Sequence, residues 1–549
     1  MKDAIIVGSG AGGGPLAAVL AEAGLNVLVL EKGPDHQPSE YVHDEIAIVR
    51  RDFFNSSLAD EPHMLVRRGS STAEHSPMGW IARCVGGGTV HMAGHVYRLH
   101  PDDFRMRTRF GAYEALADWP YRYEDLEPYY TRVDWEVGIS GRAGSDPLEG
   151  PRSKPYPMPP VDAHPLSKWI DAACDRIGVR AFPDPRAIAS RPFRRRAQCV
   201  YCDFCGSYGC EVGAKSNSQT ELLPRARATG RCEVVPDAMV KAVAVDATGR
   251  ACGVVYLDRD GREREEGARI VCVCCSAVES ARLLLMSRSG RFSNGLANNG
   301  GQVGRHLQFQ AYSTGSAKFR YSNHADKPLK HPHPFLGRSV RDYYFLPDES
   351  IAPIAKGGLI RLGFPHANPI FTAIRLAHGT DGATVWGPIL KERLREYYHD
   401  YRTIEFEVFH DFIPNDRTFV TLDPGVKDKY GLPAARIHLD EPEQQRRAGR
   451  WLMERGLEIL LAAGADELVP GDVGGSTGHL VHGTCRAGRD SATSVLNEYC
   501  QAHEVPNLFV VDGSFMPTSG GVPTTLTIMA NSFRVADHIA ARFKAGDFS

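Results

Sequence analysis

The opening of the chain constrains the fold more than any other segment, because it joins two apolar strands through a glycine-rich turn and a helix. Residues 5–7 are the apolar run Ile-Ile-Val, and residues 8–13 are the turn GSGAGG. A helical stretch and a second apolar run, residues 27–30, come next, and that run ends at Glu31. Glycines in the pattern GxGxxG, with an acid about 20 residues further on, are typical of a βαβ unit that binds a dinucleotide.

Each position of this turn has a physical role in binding a pyrophosphate. Gly8 permits the tight turn, Gly10 lets the ligand approach the backbone, and Gly13 lets the helix pack closely on the strand. The helix N-terminus stabilises the anion, and Glu31 can accept hydrogen bonds from ribose hydroxyls. The predicted cofactor-binding residues of this unit are Gly8, Gly10, Ala11, Gly13, Glu31 and Lys32.

Composition excludes several classes of partner. The 549 residues carry 64 basic and 66 acidic side chains, which gives no electrostatic footprint for nucleic acid. No apolar run reaches the roughly 18 residues that a membrane span needs, and the chain opens on a strand rather than on a signal peptide. We therefore predict a cytoplasmic protein with no membrane span and no nucleic-acid partner.

Three further segments carry recognisable patterns. Residues 83–91 read RCVGGGTVH, residues 276–284 read SAVESARLL, and residues 482–486 read HGTCR. The last is followed by VVDGS at residues 510–514 and by PTTLTIMA at residues 523–530. In this order the segments resemble the signatures of the glucose-methanol-choline (GMC) family of flavin oxidoreductases. The rest of the chain is similar to the bacterial branch that oxidises sugars and polyols, which includes gluconate dehydrogenase-like and pyranose oxidase-like members.

The resemblance implies an α/β fold in which a Rossmann-type FAD-binding domain is interleaved with a substrate domain built on an antiparallel sheet. The implied FAD domain covers residues 1–310, with substrate-domain insertions, and returns in residues 476–549 with the catalytic segment. Residues 311–475 form the implied substrate domain, where aromatic alternation at residues 343–345 and 404–409 predicts strands. The remaining implied cofactor contacts are Gly86, Gly87, Thr89, His91, Val240, Asp512, Gly513 and Thr524.

The implied reaction is FAD-dependent oxidation of an alcohol on a sugar, glycoside or polyol, with a histidine taking the hydroxyl proton while hydride moves to flavin N5. The family's histidine stands three residues before the glycine that matches Gly483, where this chain has Leu480. His482 and His479 flank that position, and we favour His482 because it is closest to the matched motif. The family's second polar position falls on Pro523, which has no side-chain donor or acceptor.

That proline leaves other functions open. One alternative is a lyase that retains FAD without net redox chemistry, as some members of the family do. Another is a flavin-binding subunit with no catalysis of its own. For the leading function, the predicted partners are a small alcohol or sugar and an electron acceptor, either oxygen or a quinone- or cytochrome-like molecule.

Two features concern covalent or metal chemistry. His91 stands where covalently flavinylated members carry a histidine, so it either bonds to the flavin or packs beside it without a bond. Cys199, Cys202, Cys205 and Cys210 have the spacing of iron–sulfur or zinc ligands, and also resemble a cysteine-rich segment of the family. We favour buried thiols or a local disulfide, and predict no metal.

Overall fold

The structure is a computed structural model that describes residues 1–50, 53–379 and 382–548, except for the side chains of Arg50, Thr477 and His479. The strands are β1 (Lys2–Val7), β2 (Val27–Leu30), β3 (His63–Arg67), β4 (Glu74–Ser76), β5 (Ala181–Pro183), β6 (Cys232–Val235), β7 (Met239–Val245), β8 (Ala251–Leu257), β9 (Glu263–Val273), β10 (Arg305–Arg320), β11 (Arg338–Val340), β12 (Gly358–Gly363), β13 (Tyr401–His410), β14 (Phe419–Lys427), β15 (Pro433–Leu439), β16 (Glu467–Pro470), β17 (Gly475–Thr484) and β18 (Leu508–Val510). The α-helices are α1 (Gly13–Glu22), α2 (Met106–Phe110), α3 (Tyr123–Val133), α4 (Ser167–Arg176), α5 (Leu223–Ala228), α6 (Ala277–Met286), α7 (Pro369–Leu376), α8 (Gly387–Arg395), α9 (Glu443–Ala462) and α10 (Thr525–Lys544).

The first sheet contains the predicted dinucleotide-binding unit. Its strands follow the order β6-β2-β1-β9-β8-β7, and β18 also pairs with β9. β6, β2, β1, β9 and β18 run parallel, whereas β7 and β8 add an antiparallel extension. The apolar strands β1 and β2 are almost fully buried beneath α1, because this sheet is covered by helices. Their carboxyl ends therefore point at the turn that begins α1.

The second sheet follows the order β16-β10-β13-β12-β11-β5, with β17 also paired to β10, and its described pairs are antiparallel. β17 has a large irregularity where it faces the cavity. The pairs Phe309–Val481 and Ala311–Ser476 leave two residue steps along β10 opposite five along β17. The extra residues of β17 bulge out of the ladder between these pairs.

One predicted strand is wrong. Tyr343 and Tyr344 lie in a turn, and Phe345 forms only an isolated bridge with Lys356. The side chain of Tyr344 is fully buried, and its hydroxyl donates to Asp103 at 2.5 Å. The ammonium of Lys356 lies 2.8 Å from Asp411 and 3.3 Å from Asp103 in the same buried cluster. Tyr344 is buried in this polar cluster, whereas Tyr343 and Phe345 are half-buried, so the aromatic content of this segment did not reflect a strand.

The other main elements agree with the sequence. Residues 404–409 lie in β13, and the two apolar runs at the chain opening are β1 and β2. The boundaries of the predicted domains stay predictions. Within the described ranges, no helix has the length and apolar character required to cross a bilayer.

Candidate active site

A cavity of about 1020 Å³ lies between the first sheet and the second sheet. It runs from Ala238 and the β7 residues Met239 and Val240, past the glycine turn after β1, to the second sheet. Most of the predicted site residues line it: Gly8, Gly10, Ala11, Glu31, Lys32, Gly87, Thr89, His91, Val240, His482, Asp512, Gly513 and Thr524. Gly13 and Gly86 lie immediately behind this lining.

The glycine turn has the steric properties that a bound pyrophosphate requires. A Cβ on Gly8, which has φ +96°, would lie 2.4 Å from the carbonyl oxygen of Cys274. A Cβ on Gly13 would lie 1.9 Å from the carbonyl oxygen of Gly8, so only glycine allows α1 to pack this closely on β1. At Gly10 the nearest atom is 3.7 Å away, on Gly87, which leaves the backbone open to the cavity. The turn thus fits a dinucleotide.

Glu31 ends β2 and points its carboxylate into the same turn. It accepts hydrogen bonds from the backbone amide of Ser9 at 3.1 Å, the Ser9 hydroxyl at 2.7 Å and the amide of Gly33 at 3.1 Å. Burial raises the pKa of this carboxyl more than these hydrogen bonds lower it. Glu31 therefore braces the glycine turn while it lines the cavity.

Lys32 forms an ion pair with an acidic residue of the protein. Its ammonium lies 2.6 Å from Glu61. Burial lowers the pKa of Lys32, but the charges of Glu61 and Glu279 outweigh burial, and the net shift is upward. Lys32 thus remains a cation at the cavity wall.

The glycine loop of residues 86–91 closes the opposite side of the turn. The Gly86 amide donates to the Ser9 hydroxyl at 2.9 Å, and the Thr89 hydroxyl donates to the Gly86 carbonyl at 2.6 Å. The ring of His91 stacks on Phe54, with centroids 5.0 Å apart and planes 8° apart. This loop is held by the same serine that Glu31 engages, so the two segments form one wall.

The carboxyl-terminal segment supplies a third wall. Asp512 accepts hydrogen bonds from the amides of Ser276 at 3.0 Å and Ser514 at 2.8 Å and from the Ser280 hydroxyl at 2.5 Å. Burial raises the pKa of Asp512 against these contacts. The carboxylate thereby joins the start of α6 to the segment before α10.

His482 pairs with Gln308 of β10 in a short stretch of β17 that has a register shift on each side. Its side chain is buried, and its Nε2 lies 2.6 Å from the hydroxyl of Thr524. Nδ1 is also buried and has no hydrogen-bond partner among the residues described. Because a protonated ring would be poorly solvated here, burial lowers the pKa of His482 to about 3. The imidazole is therefore neutral at physiological pH.

Two predictions about this segment have different outcomes. The backbone of His479 belongs to the irregular part of β17, but its side chain lies outside the described residues. Pro523 lines the cavity, and the next residue, Thr524, brings a polar group to His482. The sequence predicted Thr524 only as a cofactor contact. Its contact with His482 was missed because the two residues are 42 positions apart in the chain, where no local pattern links them.

The second sheet contributes a wall that the sequence did not single out. Tyr312 of β10, Glu407 and Phe409 of β13, and His366 after β12 line this end of the cavity. The Tyr312 hydroxyl donates to Glu407 at 2.5 Å, and Arg361 donates to the other carboxylate oxygen at 2.9 Å. In the sequence, the feature that could have indicated this wall is the alternation of acidic and aromatic residues in the predicted strand at residues 404–409.

The cysteine segment near this wall holds thiols. Cys199, Cys202, Cys205 and Cys210 are free, and among the described residues no three His, Cys, Asp or Glu side chains are grouped to hold a metal. Burial raises the pKa of the Cys199 thiol to about 12 and also raises that of Cys205. The structure does not bring these cysteines together as a ligand set.

A Rossmann-type sheet, a glycine cradle and a neutral buried histidine open on one cavity, an arrangement that fits a flavin-dependent oxidoreductase. Family models described as GMC oxidoreductase match residues 11–312 and 414–532. The chain belongs to the GMC oxidoreductase family. This membership confirms the predicted α/β fold, FAD as the cofactor and an oxidoreductase that acts on CH–OH groups.

Named proteins show similarity along almost the whole chain. The chain is 32% identical to 2-methyl-1,2-propanediol dehydrogenase of Mycolicibacterium austroafricanum, over 98% of this chain and 95% of the relative. It is 29% identical to 6'''-hydroxyparomomycin C oxidase of Streptomyces lividus, over 98% of this chain and 92% of the relative. The crystal structure of pyridoxine 4-oxidase from Mesorbium loti superposes with a TM-score of 0.62 at 18% identity, covering 98% of this chain and 99% of that one, and so supports the fold.

Proposed function

We propose that this protein oxidises an alcohol group of a sugar, glycoside or other polyol, with His482 as the base. The observation that carries the proposal is the 2.6 Å contact between His482 Nε2 and Thr524 on the wall of the cavity that contains the glycine cradle. The relatives named for oxidation of a diol and of an aminoglycoside support a polyhydroxylated substrate.

The cofactor is held by backbone more than by side chains in this proposal. Gly10 and Gly87 would leave room for the pyrophosphate, the N-terminus of α1 would stabilise its charge, and Val240 would contact the adenine. Glu31, which braces Ser9, would bind the ribose. When bound, FAD supplies the acceptor for the hydride that leaves the alcohol carbon.

The chain's own contribution is the movement of one proton. A neutral imidazole is the form that can accept a proton, and burial maintains that form. In the tautomer that the proposal requires, Nε2 carries no proton and accepts from the Thr524 hydroxyl, which a substrate hydroxyl replaces on binding. The substrate proton then moves to Nε2 as its carbon is oxidised.

The test is anaerobic addition of polyols to the holoenzyme, with flavin absorbance as the measurement. We expect a substrate to bleach the wild-type flavin and His482→Ala to slow bleaching by about 10²- to 10⁴-fold, the usual contribution of a positioned base. Thr524→Val should slow bleaching less, and Thr524→Ser should restore it, because serine keeps the hydroxyl.

His75→Ala is the matched control, because His75 is exposed on β4 and lies outside the cavity lining. Its bleaching rate should equal that of the wild type. Turnover of a substrate without flavin bleaching would support the lyase and overturn the proposal. Binding of FAD with neither bleaching nor turnover would support a subunit without catalysis.

The electron acceptor and the cellular location remain predictions. Oxygen and a quinone- or cytochrome-like partner are the two acceptors considered, and the cytoplasm is the predicted compartment. Reoxidation of the bleached enzyme by air, compared with reoxidation by a soluble quinone under nitrogen, distinguishes the acceptors.

A further inference from the structure

Glu407 is a half-buried acid that the proposed proton transfer does not use. It lies on β13 among the cavity-lining residues, and 21% of its side chain remains exposed. Burial raises the pKa of Glu407, but the charge of Arg361 and the hydrogen bond from Tyr312 outweigh burial and lower it. The cavity wall therefore presents a fixed, ionised carboxylate.

The contacts of this carboxylate leave part of its bonding capacity unused. Oε1 accepts the hydrogen bond from Tyr312, and Oε2 accepts the one from Arg361. A carboxylate oxygen has two lone pairs, so each oxygen can accept one more hydrogen bond. Arg361, which also lies 3.6 Å from Asp184, compensates part of this negative charge, and the remaining sites suit hydroxyl donors.

The position of Glu407 sets the length of ligand that could reach it. Its hydrogen-bond partner Tyr312 stands four residues along β10 from Gln308, the residue opposite His482. At a rise of about 3.3 Å per residue, this places the Tyr312 backbone about 13 Å along the strand from the backbone of Gln308. His482 and Tyr312 both line the cavity, so both ends of this span open on it. A ligand that spans this distance is about the size of a disaccharide.

We propose that Glu407, held by Tyr312 and Arg361, forms a binding subsite for a pair of neighbouring hydroxyls on the part of a neutral glycoside remote from the reacting carbon. This inference rests on the proposed alcohol oxidation and adds a determinant of substrate length to it. The subsite positions the substrate and takes no part in proton transfer.

The experiment compares a panel of neutral disaccharides (maltose, lactose, trehalose and sucrose) with 1-butanol, measuring kcat and KM of the holoenzyme for each. We expect Glu407→Gln to raise KM for the oxidised disaccharide at least tenfold and to leave kcat within twofold. KM for 1-butanol should not change, because this alcohol is too short to reach the subsite. Such a split between KM and kcat is the signature of lost uniform binding.

Two further variants keep the test decisive. Glu405→Gln is the matched control on the same face of β13, since Glu405 does not line the cavity, and it should leave every KM unchanged. Tyr312→Phe removes the hydroxyl that fixes Glu407 but keeps the acid, so it should raise the disaccharide KM by a smaller factor. If Glu407→Gln does not fold, the Tyr312→Phe result decides.

The outcomes separate this inference from the proposed function. Oxidation of 1-butanol but of no disaccharide would overturn the subsite and leave alcohol oxidation standing. Equal KM changes for both substrate classes, or an unchanged disaccharide KM, would also overturn it. Flavin that neither substrate class bleaches would contradict the proposed function itself.

Discussion

At the scale of single residues, His91 gives a direct prediction about how the flavin is held. Its ring stacks on Phe54, with centroids 5.0 Å apart, while it lines the cavity, and this stacking holds the imidazole in place without a bond to the flavin. We therefore propose non-covalent binding and expect acid precipitation of the holoenzyme to release all the flavin into the supernatant. Flavin absorbance in both fractions is the measurement. A yellow pellet from the wild type that becomes colourless in His91→Ala would instead demonstrate a histidyl bond.

The same scale shows which site residues a sequence can reveal. The residues of the glycine turn and Glu31 lie within one local unit, where spacing along the chain fixes spacing in the fold. The contact of His482 with Thr524 joins residues 42 apart, and that of Tyr312 with Glu407 joins residues 95 apart. No local pattern encodes such pairs, because they depend on how β10 pairs with β13 and β17. The candidate cofactor cradle was therefore predictable, whereas the contacts of His482 and Glu407 were not.

At the scale of elements, the packing of α1 on β1 depends on the absence of one methyl group. We expect Gly13→Ala to weaken FAD binding strongly and to destabilise the fold, because the new Cβ would lie 1.9 Å from the Gly8 carbonyl oxygen and would push the helix from the strand. The flavin-to-protein absorbance ratio after gel filtration, together with the thermal unfolding midpoint, measures both effects.

Gly290→Ala is the control for that substitution. A Cβ there meets no described atom within 4 Å, and the residue lies in a loop away from the cavity. This variant should retain its flavin and its unfolding midpoint. Full flavin retention by Gly13→Ala would contradict the view that close packing of α1 forms the pyrophosphate site.

Elements with a simple apolar pattern were the ones that sequence predicted well. β1 and β2 are buried runs on either side of a recognisable turn, and the strand predicted at residues 404–409 is the centre of β13. Residues 343–345 have similar aromatic content but form a turn and an isolated bridge, because Tyr344 satisfies its hydroxyl on Asp103 in a buried cluster. Such tertiary contacts override local strand preference.

At the scale of the whole molecule, buried neutral histidines link stability to pH. Burial lowers the pKa of His410 and of His482 to about 3, and that of His306 to about 4. These rings stay neutral in the folded chain but bind protons near pH 6.5 once unfolded. Their stabilising contribution is therefore complete above about pH 6.5 and is lost as the pH falls towards the folded values.

His410→Gln isolates one of these contributions. Acids with raised pKa, such as Glu405 at about 7, act in the opposite direction but are common to both proteins, so they cancel in the comparison. Between pH 7 and pH 5 the wild type should lose about 2 kcal/mol more unfolding free energy than the variant, as expected for one histidine that titrates only when unfolded. Urea unfolding at several pH values measures this difference. Parallel pH dependences for the two proteins would show that His410 is protonated equally in both states, contrary to its burial without a partner for Nδ1 among the described residues.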